Sequence, residues 1–508
     1  MIVVEHNFSE VTQVILQEKA IPFWNEKSIS SAVSEISKKY PDDILVWMHC
    51  SLKNKVDFEF IIEQFTSNRF MMSFNPGGNF FPDEIGYIED SPFIKVPKDV
   101  RYPTWQMSSL VGCIHTSVIN QVSGIILSKS FDYYLNAIAK TFQSKGLFCY
   151  SDPKLLLGNL CITHPPMADM SQLFKFVKEH YKLRWTFLLF LNIFIYEKKF
   201  RFLSLIQSLI SLKRGKQDVN LKFTSQSQEF KLTNDTIDVI VPTIGREKYL
   251  YDVLCDLRNQ THLPFKVIII EQNQDLESAT SLTYIEDETW PFTIKHIFTH
   301  QIGACQARNL AMEYIESRWV FFADDDIRFD QNFLHDALNV LNCWKIHAAT
   351  FNCLAAKQTN PYKAISQTTL FGSGCSIVKA SGLENLYFKR NFEFGFGEDT
   401  DFGMQLRKNG IDVLFCPSPK ILHLKAAIGG FRTKCIQPWQ ENGDNPKPSP
   451  SIMLLKKWHN SEKQLRGFKT TFFFKYYMKQ RIKAPYKYYK MFKKEWKQSQ
   501  IWAEILAK

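Results

Sequence analysis

Three aspartates in a row, Asp324, Asp325 and Asp326, close the segment FFADDDIRF. Carboxylates this close repel one another, so the triplet asks for a compensating cation. A hard divalent ion, Mn²⁺ or Mg²⁺, suits it, because such ions take one or two carboxylates and complete their shell with phosphate oxygens. The plain alternative is a solvated acidic turn, but the triplet follows the apolar run WVFFA, as the end of a buried strand would. A second acidic group lies in FGFGEDTDFGMQLRKNG, where Gly395 and Gly397 precede Glu398 and Asp399, and Asp401 follows. Flexible glycines ahead of a carboxylate pair suit a general base that must approach a bound hydroxyl. The same acids also favour the N-terminus of the helix that FGMQLRKNG predicts, which ends at Gly410. Different acids of the group can fill the two roles. ILHLKAAIGGFR adds His423, Lys425, Gly429, Gly430 and Arg432, a set suited to metal or diphosphate contact. QARNLA places Arg308 and Asn309 near a helix start, where an anion can sit.

The elements that must position these residues alternate in type. TIDVIVPT and FKVIIIEQN are apolar, β-branched runs that predict buried strands. Between them EKYLYDVLCDLRNQ carries Leu250, Val253, Leu254 and Leu257 at helical spacing. ACQARNLAMEYIES reads as a helix and RWVFFADDD as a strand. Such alternation implies a mostly parallel sheet with helices on both faces, whose ligands bind at the carboxyl ends of the strands. PTIGR, EQN and DDD all fall at such ends.

The first third of the chain echoes the later part. IVVEHN at 2–7 resembles IIIEQN at 268–273, SSLVGCIHTSVINQVSG at 108–124 resembles TTLFGSGCSIVKASG at 368–382, and LFCYSDPKLL at 147–156 resembles LFCPSPKIL at 414–422. The three matches keep one order. Residues 1–160 therefore read as a shortened second copy that lacks the opening strand and helix of VIVPTIGREKYL. Where the later copy has FFADDDIRFD, this one has LVWMHCSLKNKVDF, and against the Glu-Asp pair it offers only Asp132. The alternative is an unrelated α/β domain with coincident phrases.

These motifs resemble those of the family-2 glycosyltransferases, which have a GT-A fold. The resemblance covers residues 236–432 and rests on VIVPTIGREKYLYDVLCDLRNQT, IGACQARNLAM, FADDDIRFD, GSGCSIVKASG, FGFGEDTDFGMQLRKNG and HLKAAIGGFR, in the family's order. It implies an α/β architecture: a GT-A catalytic domain with a Rossmann-like, mostly parallel sheet at 234–435. Before it come a shortened GT-A-like domain at 1–164, without catalysis, and a helical apolar-basic linker at 165–233; a basic aromatic extension follows at 436–508. It implies a metal-dependent, inverting transferase that takes a nucleotide-diphosphate sugar donor. By match, Pro242, Thr243, Arg246, Glu271, Arg308, Asp324 and Asp325 line the donor site, with Asp325 the weakest member. Glu271 stands where the family usually has Asp, which leaves the nucleotide open. Asp326 and His423 would hold Mn²⁺ or Mg²⁺. Asp399 matches the catalytic base, with Glu398 beside it.

Length and composition bound the rest. The chain has 508 residues, enough for two to four domains, and its 45% hydrophobic and 22% charged content is that of a globular protein. Eleven cysteines without paired spacing read as reduced thiols. The start, MIVVEHNFSE, has no signal-peptide pattern, so a cytoplasmic location is expected, peripheral at the inner face of the membrane. The net charge of +11 belongs to the tail: from Lys456 to Lys508 there are 15 Lys and Arg against three acids. That tail interleaves bases with Phe, Tyr and Trp and suits an anionic membrane surface. A solvated helical extension is the plain reading. Stacking and phosphate contact would also suit nucleic acid, but no nucleic-acid motif accompanies the tail and no nucleic-acid partner is expected. WTFLLFLNIFIY, at 185–196, is too short to cross a bilayer, which takes ~20 apolar residues. It reads equally as an interfacial helix, given its basic flanks, or as a buried inter-domain helix. The expected acceptor is a glycan or a lipid-linked sugar of surface polysaccharide synthesis. The competing reading is a catalytically silent scaffold that binds sugar nucleotides or glycans.

Overall fold

The computed structural model describes residues 1–22, 28–122, 128–158, 165–211, 221–224, 235–360, 362–427 and 436–508. Two compact units emerge, one of residues 1–226 with 460–476, the other of 227–459 with 477–508.

The second unit is built on nine strands: β9 (Ile237–Thr243), β10 (Lys266–Gln272), β11 (Thr293–Thr299), β12 (Trp319–Ala323), β13 (Ile327–Phe329), β14 (Ala348–Leu354), β15 (Ser366–Gln367), β16 (Cys375–Lys379) and β17 (Leu414–His423). Their order is β11-β10-β9-β12-β16-β14-β17-β13, with β15 also paired to β17. β11, β10, β9 and β12 run parallel, while β16 runs against both β12 and β14. The expected strands and helices lie where the periodicity placed them. A β-branched run buried on both faces cannot sit still except inside such a sheet, and β10 is buried at all seven positions. The helix Glu398–Lys408 is pinned to the sheet by Phe402 and Leu406, with Phe402 stacked on Phe388 at 4.1 Å.

The first unit's strands are β1 (Ile2–His6), β2 (Val11–Leu16), β3 (Lys19–Ile21), β4 (Ile44–His49), β5 (Phe70–Phe74), β6 (Tyr102–Pro103), β7 (Val111–His115) and β8 (Phe148–Ser151). Their order is β3-β2-β1-β4-β7-β5-β8-β6. The central run β1-β4-β7-β5-β8 repeats β9-β12-β16-β14-β17, with each neighbouring pair in the same sense. The short β6 against β8 also repeats β15 against β17.

Two details differ from the phrase matching. β1 takes the place of β9, not of β10, so the opening strand is present; the parallel pair β10 and β11 is what the first sheet lacks, and the antiparallel hairpin β2-β3 stands there instead. Apolar strands resemble one another, so a six-residue likeness does not say which strand it is. LFC at 147–149 and LFC at 414–416 lie on equivalent strands but out of register: Tyr150, not Leu147, pairs with Pro103 as Leu414 pairs with Gln367.

The helices expected as a linker belong to the first unit. Leu173, Phe174, Phe176, Leu189, Ile193 and Leu205 enter its core, and Phe176 stacks on Trp105 at 5.3 Å. The polar stretch after them lies mostly outside the described residues. The tail also differs from a free surface segment. In the helix Pro485–Leu506, Tyr488, Phe492, Trp496 and Ala503 form one buried face, because aromatics four residues apart share a side. Against that helix packs Pro450–His459. Three of the tail's aromatics are therefore core.

Gly112 of β7 tests the first sheet. A Cβ there would overlap the Trp47 ring and the Met72 carbonyl. Gly112→Ala should lower stability by roughly 3 kcal/mol, the cost of an overpacked core, read by denaturant unfolding.

Candidate functional site

The strand ends of the second unit converge on a cavity of about 420 Å³, within the range of ligand sites. β9 supplies Pro242 and Thr243, and Arg246 follows at the start of the next helix. β12 runs into Asp324, Asp325 and Asp326; β17 ends on His423; the helix beginning at Glu398 presents Glu398 and Asp399. Arg308 reaches in from the helix Ala304–Met312. Ten of the eleven expected site residues thus line one volume. The exception is Glu271, whose carboxylate accepts hydrogen bonds from Thr280 Oγ1 (2.6 Å), His296 Nε2 (2.9 Å) and Ser281 N and Oγ (both 3.2 Å). Its neighbour Gln272 faces the cavity instead, because successive strand residues point to opposite faces.

The three aspartates have different surroundings. Asp325 is buried and held by Thr243 Oγ1 at 2.7 Å and Arg246 Nη1 at 2.6 Å. Burial pushes its carboxyl up to about 6, against the pull of Arg246. It lines the cavity and braces Arg246 and Thr243. Asp326 accepts the Ala426 N–H at 2.8 Å and sits 3.3 Å from His423 Nε2. Burial raises its carboxyl, but His423, the Ala426 amide and Arg246 outweigh it and hold the carboxyl below its ordinary value. Asp324 pairs with Arg308 Nη2 at 3.1 Å. A Cβ on Gly374 would overlap the Asp324 carboxylate, so only glycine fits there.

Ligand atoms of Asp324, Asp326 and His423 lie within 4.8 Å of one another. Two carboxylates and an imidazole form a donor set that Mn²⁺ or Mg²⁺ accepts, with positions left for other oxygens. Asp324 thereby joins Asp326 and His423 as a candidate ligand. Charge supports the fit: the cavity wall carries six carboxylates (Asp324, Asp325, Asp326, Glu393, Glu398, Asp399) against Arg246, Arg308 and Lys425.

Glu398 and Asp399 are the first two residues of their helix, and Gly397 takes the left-handed turn before them at φ 115°. Asp399 accepts the Ser373 N–H at 3.3 Å, and burial pushes its carboxyl up despite Arg308 nearby. Glu398 Oε2 is buried without a hydrogen-bond partner. Burial, then the charge of Asp399, push its carboxyl up to about 7. Asp401 points the other way, to His459 Nε2 at 2.7 Å. Phe396 N donates to Ser451 Oγ at 3.2 Å. The helix Pro450–His459 thus braces the loop and helix that carry the acids.

Sequence reasoning missed Glu393. Its carboxylate accepts the Cys305 and Gln306 N–H groups, both at 3.1 Å, and so occupies the helix start where an anion was expected near Arg308 and Asn309. Asn309 instead bonds the Phe388 backbone. A lone Glu in a loop carries no local signal of this; the close approach of Gly303 to the Glu393 carboxylate exists only in the fold. Gly429, Gly430 and Arg432 lie outside the described residues. A larger cavity of about 770 Å³, beside β13 and the loop after β14, holds no acid pair of this kind.

The first sheet carries no acid run at the corresponding strand end. Met48 pairs with Val111 and Ala323 with Cys375, each the first residue of its strand. His49-Cys50-Ser51 therefore holds the ladder position of Asp324-Asp325-Asp326. Asp132, second in its helix like Asp399, accepts Ser109 N and Ser109 Oγ, both at 2.7 Å. It is a buried strut, with its carboxyl raised by burial to about 6.

Residues 238–371 match the family described as glycosyl transferase family 2. The matched family is the one the sequence resemblance named, and the matched residues lie in the mixed α/β second unit. No curated protein matches the chain. Among solved structures it is similar to S. aureus TarS 1–349, at 19% identity and TM-score 0.32, over 37% of this chain and 60% of that one. It is also similar to S. aureus TarS 1–349 in complex with UDP-GlcNAc, at 18% identity and TM-score 0.37, over 46% of this chain and 70% of that one.

The raised Glu398 carboxyl makes a prediction with a definite sign. A carboxyl raised above its unfolded value stabilises the fold while protonated, and that contribution is lost as pH rises through about 7. Glu398→Gln should therefore be more stable than the parent near pH 8, by on the order of 2 kcal/mol, with the gap closing below the unfolded carboxylate range. Denaturant unfolding at the two pH values measures it.

Proposed function

We propose that the second unit is an inverting glycosyltransferase acting on a nucleotide-diphosphate sugar. The observation that carries this reading is that the Asp324, Asp326 and His423 group and the Glu398–Asp399 pair face one cavity. Asp399 takes the proton of the acceptor hydroxyl while that oxygen forms its bond to the anomeric carbon. The bond from that carbon to the diphosphate oxygen breaks on the opposite side, and the nucleoside diphosphate leaves. Glu398 stands beside it, its carboxyl pushed up to about 7 by burial and by the charge of Asp399. Arg308 and Lys425 place positive charge on the cavity wall, where a leaving diphosphate gathers charge. A divalent ion, Mn²⁺ or Mg²⁺, held by Asp324, Asp326 and His423 would supply Lewis-acid neutralisation of the diphosphate.

The proposal extends to an acceptor that is a glycan or lipid-linked sugar in surface polysaccharide synthesis. For the first unit we propose a second, shortened copy of the same fold without catalysis. Its shared strand order supports this, as does its exchange of Asp324-Asp325-Asp326 for His49-Cys50-Ser51.

Thermal unfolding with UDP, GDP, TDP and CDP, each with and without Mn²⁺, tests the donor class. One nucleotide should stabilise the protein only with metal, by ~2.7 kcal/mol at a hundred times its dissociation constant. Asp326→Ala should abolish that gain; a nucleotide shift that ignores both metal and substitution would refute the metal-dependent reading. Once a donor is known, Asp399→Asn should lower kcat by about 10²–10⁴-fold, the worth of a general base, and leave the donor-induced stabilisation intact.

A further inference from the structure

In the first unit, the helix Leu183–Asn192, a π-helical turn at Ile193–Glu197 and the helix Phe202–Ile210 form a hairpin. Its inner side is accounted for: Leu189, Ile193 and Leu205 enter the core, and Asn192 Oδ1 accepts from Thr470 Oγ1 at 2.6 Å. Its outer side is not polar. Phe187, Phe200, Phe202, Leu203, Ile206 and Ile210 are all exposed, with Leu203 at 76% and Ile210 at 77%. The Phe200 ring lies 5.5 Å from Phe190 and 5.7 Å from Phe202, so the aromatics form a cluster rather than scattered residues. A surface helix normally turns charge outward, yet Phe202–Ile210 has no charged residue at all. Single exposed apolar residues need no account, but a contiguous patch marks an interaction surface.

The rim decides what it meets. Lys182, Arg184, Lys198, Lys199 and Arg201 are exposed around the patch. The one acid of the stretch, Glu197, is engaged by Tyr87, Lys199 and Lys463. A second copy of the chain would set like charges against each other around a twofold contact. An anionic lipid surface satisfies both features: the apolar face enters the headgroup boundary and the bases meet the lipid charge. No helix among the described residues is long and apolar enough to cross a membrane.

We infer that the 183–210 hairpin docks this protein on an anionic bilayer. The tail is the less committed candidate, since its helix Pro485–Leu506 buries Tyr488, Phe492 and Trp496 and leaves its exposed apolar residues among lysines. This inference does not rest on the transferase reading, though it would bring such an enzyme to a lipid-linked acceptor.

The test is flotation of the full chain with vesicles of phosphatidylcholine alone and of phosphatidylcholine with phosphatidylglycerol. The protein should float with the anionic vesicles, and less with the neutral ones or in high salt. Leu203→Ser with Ile210→Ser, at two highly exposed positions, should weaken binding roughly tenfold or more. Tyr486→Ser with Tyr489→Ser, exposed on the tail, should leave it unchanged. The inference is overturned if the hairpin variant floats like the parent, if the tail variant alone loses binding, or if no binding occurs. It is also overturned if the parent is a concentration-dependent dimer that the hairpin variant disperses. Nucleotide-induced stabilisation, measured on the same preparations, reports the donor site separately, so either reading can fail alone.

Discussion

Six carboxylates facing one cavity set the constraint on which the second unit is organised. Left bare, they would repel one another, and burial would make each charge costlier still. The fold answers with specific partners: Arg246 for Asp325, Arg308 for Asp324, His423 and a backbone amide for Asp326. Glu393 is neutralised in another way, by the N–H groups at a helix start. What remains undercompensated is the Glu398–Asp399 pair and the gap between Asp324, Asp326 and His423. Those two deficits are where a proton and a cation would go, and each has a role in glycosyl transfer.

Holding charged groups in place takes rigid support behind them. The helix that begins at Glu398 is fixed from the sheet side by Phe402 stacked on Phe388. From the other side His459 bonds Asp401, and Ser451 bonds the backbone of the loop before it. Asp401 and Asp399 are two residues apart, so one acid anchors the helix while the other faces the cavity. Neither acid caps the helix with its side chain, as the sequence allowed: the cap position is Gly397, without a side-chain cap bond. In the first unit Asp132, second in its helix, is anchored by two hydrogen bonds from Ser109.

The two sheets also show what short repeated phrases can and cannot carry. Five strands follow the same order in the two units, and alternating apolar runs define that each exists. They do not define which strand it is or its register. IVVEHN sits in the place of β9 and not of β10, and the two LFC phrases are out of step. A period-two pattern is satisfied equally by any strand buried on both faces.

The residues by themselves determined the strand and helix pattern of 236–432, the acid triplet at a strand end, the carboxylate pair at a helix start and the late histidine. These are local signals, because strand ends, caps and acidic runs are contiguous in sequence. Only the tertiary structure decided how each acid is used. Asp325 became a brace, Asp324 a candidate ligand, Glu271 an internally satisfied acid, and Glu393 a helix cap reached from 88 positions away. The same holds for the apolar segments. Composition could not separate the buried aromatics of Pro485–Leu506 from the exposed ones of 183–210, since both interleave with bases. Burial is a relation to other elements, and charge compensation acts through space, so neither is written in the order of residues along the chain.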